Sequence, residues 1–336
     1  MEFKMEFKNM NITIDVTSRC NLRCKHCRVN EIDNEMSVDQ IEYIFNKLKD
    51  FKPRGVFISG GEPLMRKDIV EIVKKSKKLA PVTILNTNSL LLTEDLLKEL
   101  IDVGLDYIQV SIDGTQKIHD YIRGEGTYNK AVEKMKMINK YSDKIKLHIN
   151  CVVSKKNIDD MEKLARQILD VEKLDVQIFG FKRFIPSNVL KDTAALGKEG
   201  LKKLYENLGI LQERYKDRTR IVSDMPMKNV FNEEKAIKVM EKYDLKCVGC
   251  SAGVNGISIR NDGTVTPCTL LYISCGNILN ESLDEILNNV DMIKIKEREL
   301  KGKCGECEYK KICGGCRAAA YQITGDFLGE DKECFI

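Results

Sequence analysis

Six short apolar runs, each followed by a stretch with helical spacing, occupy the first half of this 336-residue chain. Residues 12–16, 55–59, 82–86, 107–112, 145–153 and 174–179 read as strands. Ser37 opens a capping box with Gln40, and Val38, Ile41, Ile44, Phe45 and Leu48 follow on one helical face. A second helix is expected over 67–79, a third over 94–103 behind the Thr93 cap, and others near 129–139 and 158–169. Strand–helix alternation calls for a parallel sheet with right-handed crossovers. Six units in about 180 residues predict an α/β fold, a partial (β/α)6 barrel, whose functional edge lies at the C-terminal ends of the strands. After 187 the alternation is expected to stop. Helices over 198–215 and 232–243 then bridge to a hairpin over 256–266, turning at Asn261-Asp262-Gly263, and to a short helix over 282–290. The expected units are thus 1–187 as barrel, 188–245 as helical bridge and 246–336 as a small cysteine-rich domain.

Thirteen cysteines are a strong departure from ordinary composition. Cys20, Cys24 and Cys27 form a C-x3-C-x2-C loop directly after the first strand. Eight more stand in the tail at Cys247, Cys250, Cys268, Cys304, Cys307, Cys313, Cys316 and Cys334, which leaves Cys151 and Cys275 outside the clusters. The N-terminus has no apolar signal segment, so a cytoplasmic, reducing location is expected, where clustered thiols favour metal over disulfides. Cys151 reads as core, and Cys275 as a spare thiol that could substitute as a ligand. Three close thiolates cannot close a four-ligand site, and four normally hold a four-iron cluster. The loop therefore reads as a cluster site with one iron left open. With 55 basic against 51 acidic residues, the net +4 gives no case for a nucleic-acid partner. No stretch approaches the roughly 20 apolar residues of a membrane span. The opening repeat, Met1–Lys4 and Met5–Lys8, has no functional reading.

Gly60-Gly61-Glu62-Pro63 follows the second strand, on the same predicted sheet edge as Cys20. Glycines there permit close backbone approach to a ligand, and a carboxylate beside them suits an ammonium group. No G-x-G-x-x-G follows a strand, which disfavours a Rossmann-type methyltransferase. Asp113, His119, Asp120 and Asp224 are weak candidate proton donors or acceptors. His148 alternates with apolar neighbours and reads as structural.

On these residues the chain resembles the radical S-adenosylmethionine (SAM) family. The resemblance implies that Cys20, Cys24 and Cys27 hold one four-iron cluster whose open iron is chelated by SAM. It further implies that Gly60, Gly61 and Glu62 hold the methionyl amine, that His26 lies against the adenine, and that Ser111 and Arg123 contact SAM. The implied chemistry is one-electron cleavage of SAM to a 5′-deoxyadenosyl radical, which abstracts hydrogen from the substrate. A low-potential ferredoxin-like or flavodoxin-like donor would supply the electron.

The tail, by spacing alone, leaves two readings open: two four-ligand iron–sulfur sites, or zinc in paired C-x2-C motifs. It resembles the SPASM domain, which carries auxiliary iron–sulfur clusters. By that pattern Cys247, Cys250, Cys268 and Cys316 would hold the first auxiliary cluster, and Cys304, Cys307, Cys313 and Cys334 the second, both of the four-iron type. The common pattern has three residues between its penultimate cysteine pair, whereas Cys313-Gly314-Gly315-Cys316 has two. The segment through Thr324-Gly325-Asp326 looks like enzymes of haem d1, alternative haem and tungsten-cofactor biosynthesis, with peptide-modifying enzymes related. Only nineteen residues precede Cys20, too few for the leader-binding domain common in peptide maturases, and Thr269 replaces the acidic residue of sulfatase maturases. The expected function is a maturase acting on a tetrapyrrole-like small molecule or a ribosomal peptide. The rival is a non-catalytic iron–sulfur electron carrier or a zinc-bound interaction protein.

Overall fold

The structure, a computed structural model, describes residues 10–29, 35–186, 194–243 and 247–336. The opening repeat and the expected boundaries at 187/188 and 245/246 lie outside the described residues. Nine strands form one sheet in the order β7-β6-β5-β4-β3-β2-β1-β8-β9. They are β1 Asn11–Thr17, β2 Gly55–Gly60, β3 Val82–Thr87, β4 Tyr107–Ser111, β5 Lys146–Val153, β6 Ile178–Arg183, β7 Arg220–Val222, β8 Gly256–Ile259 and β9 Val265–Thr266. Every neighbouring pair from β7 to β8 is parallel, and only β9 runs antiparallel, on β8. The sheet is open, with β7 and β9 at its two ends. This is the expected α/β fold of partial-barrel type, followed by a cysteine-rich region.

Period-two burial builds the wall. Ile12, Ile14 and Val16 of β1 are buried, Asn11 and Thr13 on the other face are half-buried, and Asp15 and Thr17 at the exit are buried as well. The helix Val38–Leu48 lays Ile41, Ile44, Phe45 and Leu48 into the core and begins at the expected Ser37/Gln40 capping box. Thr93 caps Glu94–Asp102, also as expected.

Two expectations need correction. The sixth strand is Ile178–Arg183, not 174–179. Leu174 and Val176 are buried and gave an apolar run, but they pack in the connection, and pairing with β5 starts at His148 opposite Ile178. The alternation also does not stop at 187. The helix Gly197–Tyr215 leads into β7, which pairs parallel to β6 and adds a seventh unit. At three residues, β7 is too short to show a period in sequence. The predicted hairpin over 256–266 exists as β8 and β9, and β8 docks on β1, so the cysteine-rich region continues the barrel sheet. Among the described residues no helix is long and apolar enough to cross a membrane.

Candidate active site

The exits of β1 to β4 converge on the cysteine loop. Gly61 N–H donates to the Thr17 carbonyl and Glu62 N–H to the Arg19 carbonyl, both at 2.8 Å. Asn88, after β3, donates through Nδ2 to Asn21 Oδ1 at 2.8 Å and lies 3.9 Å from the Cys20 sulfur. Lys25 N–H donates to the Ile122 carbonyl in the helix Gln116–Arg123, which the sequence reading missed. Cys20, Cys24 and Cys27 are half-buried free thiols. Leu22 N–H and Val29 N–H point at the sulfurs of Cys20 and Cys27 at 3.4 Å, donors that favour thiolate. In the metal-free chain burial pushes the Cys24 thiol up to about 11, with Arg123 pulling it down.

The two glycines serve a contact the sequence did not reveal. A Cβ on Gly60 would lie 2.2 Å from the Thr17 carbonyl oxygen, and one on Gly61 2.2 Å from that of Arg19. Gly60 also has φ +134°. Their immediate role is to let the β2 exit press against the base of the cysteine loop. Glu62 is fully buried and bound from within. Its Oε1 accepts from Thr87 Oγ1 at 2.6 Å and Leu64 N–H at 3.0 Å, and Oε2 accepts from Asn88 N–H at 2.7 Å. Burial raises its pKa against those hydrogen bonds. It ties β2 to β3 and keeps acceptor capacity on Oε2.

Asp113, two residues past the end of β4, is the buried hub. Oδ2 accepts from Arg123 Nε at 2.5 Å and stands 3.5 Å from His26 Nε2, while Oδ1 accepts from Val152 N–H at 2.8 Å. Burial raises its pKa, but Arg123 and the two histidines outweigh it and hold the carboxyl below its usual range. Arg123 Nη1 in turn lies 3.9 Å from the Cys24 sulfur. His26 is mostly buried, and burial lowers its pKa against the pull of Asp113. Ser111 ends β4, half-buried. Thus His26, Gly60, Gly61, Glu62, Ser111, Arg123 and Asp113 gather at the edge that launches Cys20, Cys24 and Cys27.

The other candidates separate. His119 is buried, and its Nδ1 accepts from Asp113 N–H at 3.1 Å. Asp120 accepts from Tyr128 N–H at 2.8 Å, at the start of the helix Thr127–Asn139, which is a structural use. Asp224 pairs with Lys182 at 2.7 Å, far along the sheet beyond β7. Sequence reasoning missed Asn88, Asn157, Asp15 and Arg260. Asn157 donates to the Asp113 and Val152 carbonyls at 2.8 Å. Asp15, inside β1, joins Arg28 at 3.2 Å and Arg260 at 2.8 Å. Asp15 and Arg260 wall a cavity of about 200 Å³ between β1, the cysteine loop and the β8–β9 hairpin, with Thr17, Val29 and Tyr272 also on its border. A polar residue on an otherwise apolar strand was the available signal for Asp15.

In the tail, Cys304, Cys307, Cys313 and Cys334 border one cavity together with Gly314 and Gly315. Cys268 and Cys316 each lie in the electrostatic field of Cys250. Cys247 lies 3.5 Å from the Lys296 carbonyl, and Cys250 N–H donates to the Cys313 carbonyl at 3.0 Å, which places the two thiol sets side by side. Among the described residues no three His, Cys, Asp or Glu side chains converge as one metal ion requires. The donors are nevertheless thiols alone, the set that iron–sulfur clusters take. Gly315, at φ +59°, leaves room beside them, since a Cβ there would lie 2.8 Å from the Cys304 sulfur. The residues fit the cofactor. Cys151 is buried in the core as expected. Cys275 is buried too, in a field set by burial and Asp291 rather than by another thiol, so its reading as a substitute ligand gains nothing.

Residues 14–168 match the radical SAM superfamily, and residues 247–317 match the SPASM iron–sulfur cluster-binding domain. The chain carries a radical SAM domain followed by a SPASM domain. This radical SAM/SPASM enzyme is 28% identical to an AdoMet-dependent heme synthase of Methanosarcina barkeri, over 96% of the chain and 95% of the relative. It is 26% identical to a PqqA peptide cyclase of Bradyrhizobium diazoefficiens, over 96% and 85%. Its fold is similar to that of Streptococcus suis SuiB bound to S-adenosylmethionine, with a TM-score of 0.78 at 20% identity, over 98% of this chain and 77% of that one. These domains bring SAM and iron–sulfur clusters as cofactors.

Proposed function

We propose that this enzyme cleaves SAM reductively and uses the resulting radical to abstract hydrogen from a tetrapyrrole precursor. The observation that carries the reading is the docking of Gly61 and Glu62 onto the strand exit that launches Cys20. When bound, the cluster and SAM supply the 5′-deoxyadenosyl radical. Cys20, Cys24 and Cys27 hold the four-iron cluster and leave one iron for SAM. The backbone of Gly60 and Gly61 and the spare Oε2 of Glu62 receive the methionyl amine. His26 offers its ring to the adenine, with Asp113 fixing its tilt. Arg123 and Ser111 complete the SAM wall, and Arg123 also offsets the negative charge at Cys24. Asp113 positions these groups and is buried too deeply to exchange protons with substrate. His119, Asp120 and Asp224 have no assigned part in the chemistry.

The tail carries two auxiliary four-iron clusters, on Cys247, Cys250, Cys268 and Cys316 and on Cys304, Cys307, Cys313 and Cys334. Support comes from the single cavity that the second set borders. Exposed Arg23 and Lys25 on the cysteine loop suit an acidic low-potential donor of ferredoxin or flavodoxin type. The tetrapyrrole substrate is supported by the end-to-end match to the heme synthase relative. A peptide is the second reading, favoured by the peptide cyclase relative.

The test is anaerobic reconstitution with iron, sulfide, SAM and reductant. Deoxyadenosine should form, and mass spectrometry should show a changed haem precursor but an unchanged peptide. Deoxyadenosine no higher than in Cys24→Ala would sink the enzyme reading. Zinc without sulfide in the purified protein would favour the interaction-module rival.

A further inference from the structure

Six arginines are buried among the described residues: Arg66, Arg123, Arg183, Arg260, Arg298 and Arg317. Four have carboxylate partners. Arg66 pairs with Asp68 and Glu35, Arg123 with Asp113, Arg183 with Asp331 and Glu333, and Arg260 with Asp15. Arg298 and Arg317 make no ion pair among the described residues, although they are 3% and 0% exposed. Among the described residues Arg298 Nε and Nη1 and Arg317 Nη2 also lack any hydrogen-bond acceptor. A guanidinium cannot shed its proton to escape this cost, so an unpaired buried one needs an anion.

Arg298 lies against the backbone of the tail cysteines, and Arg317 beside the Cys304 thiol. Arg298 Nη2 donates to the Val248 and Cys250 carbonyls at 2.8 and 3.0 Å. Its Nη1 is 2.8 Å from where a Gly314 Cβ would stand, and Gly314 borders the cavity of Cys304, Cys307, Cys313 and Cys334. Arg298 also holds φ +56°, a strained setting for a residue with a side chain. Arg317 Nη1 donates to the Phe327 and Gly329 carbonyls at 3.0 and 2.7 Å. The point where a Gly315 Cβ would stand is 2.6 Å from Arg317 Nη2 and 2.8 Å from the Cys304 sulfur, so these two atoms flank the same gap.

We propose that Arg298 and Arg317 are the counter-cations of the tail's iron–sulfur sites and raise the reduction potential of those sites. The inference rests on the reading of the tail thiols as cluster ligands. A four-iron cluster with four thiolates is an anion, and it gains one further negative charge when a low-potential donor passes it an electron. A fixed cation at short range in a dry site stabilises the more negative state. The glycines at 314 and 315 then have a purpose beyond the turn, because any side chain there would collide with the two guanidiniums.

The test is an EPR-monitored redox titration of the reconstituted full chain carrying Cys20→Ala, Cys24→Ala and Cys27→Ala, so that only the tail reports. Arg298→Gln and Arg317→Gln, at unchanged iron and sulfide content, should each shift the oxidised-to-reduced ratio at a fixed potential about tenfold toward oxidised, which is 59 mV for one electron. Arg298→Lys and Arg317→Lys should recover most of that shift. Loss of iron in the Gln variants with retention in the Lys variants would also support a role for charge. Unchanged midpoints at full iron, or equal iron loss in Gln and Lys variants, would overturn the proposal. Zinc without sulfide in the parent overturns the cluster reading itself, an outcome distinct from clusters whose potentials ignore the arginines.

Discussion

The strand-exit site and the cysteine-rich tail handle buried charge in opposite ways. Around the cysteine loop, Arg123 meets Asp113 and Arg260 meets Asp15. In the tail, Arg298 and Arg317 have only carbonyl oxygens and neighbouring thiols. The two regions also differ in how they hold themselves up. The barrel part has seven parallel strands and helices as long as the 19 residues of Gly197–Tyr215. The tail's helices run only five to eight residues, below the length at which a helix is stable by itself. Its own satellite core is small, centred on Leu271, Ile295, Ala318 and Ala319. Barrel arginines thus meet carboxylates, some of them supplied by the tail (Asp331 and Glu333 to Arg183), whereas Arg298 and Arg317 of the tail meet none among the described residues.

The largest expected effect breaks the two regions apart. Removing iron with a chelator should raise amide hydrogen exchange across 268–334 close to the unfolded rate, while β1–β6 stay protected, because metal binding there is folding free energy. Equal protection of both regions before and after chelation would contradict the comparison. Next, Asp113→Asn strands the Arg123 guanidinium in a buried site. It should cost about 3–5 kcal/mol in urea unfolding of the barrel, as for other broken buried pairs.

A smaller effect comes from pH. Burial, against a hydrogen bond to the Gln177 Oε1 acceptor, lowers the His148 pKa to about 4 from its ordinary value of 6.5. The unfolded chain therefore binds the extra proton between these values, and stability rises with pH there. This contribution is complete above pH 6.5 and is lost as pH falls toward 4, by about 3 kcal/mol in all. Denaturant melts at pH 7 and pH 4.5 should show the decline, and His148→Gln should flatten its share of it. The smallest effect is Ser37→Ala, which removes the cap of Val38–Leu48 and should cost about 1 kcal/mol with deoxyadenosine formation unchanged.

What could be read from the sequence was local. The cap at Ser37, the first five strands, the hairpin at 256–266 and the cysteine loop after β1 rest on patterns within a few residues. The proposal that three thiols leave a cluster open rests on the same kind of short spacing. Tertiary structure decided the rest. It moved the sixth strand, because burial of Leu174 and Val176 arises in a connection as readily as in a ladder. It gave Gly60 and Gly61 a further duty as the seam between two strand exits. It gave Asp15 a partner 245 residues away and Arg183 one 148 residues away, pairings that no periodicity encodes. The sequence by itself determined which chemistry the chain carries, since thiols, glycines and caps act through residue type and short spacing. Only the tertiary structure decided which buried arginines meet carboxylates and which, among the described residues, do not, since desolvation and partnership depend on the whole packed surround.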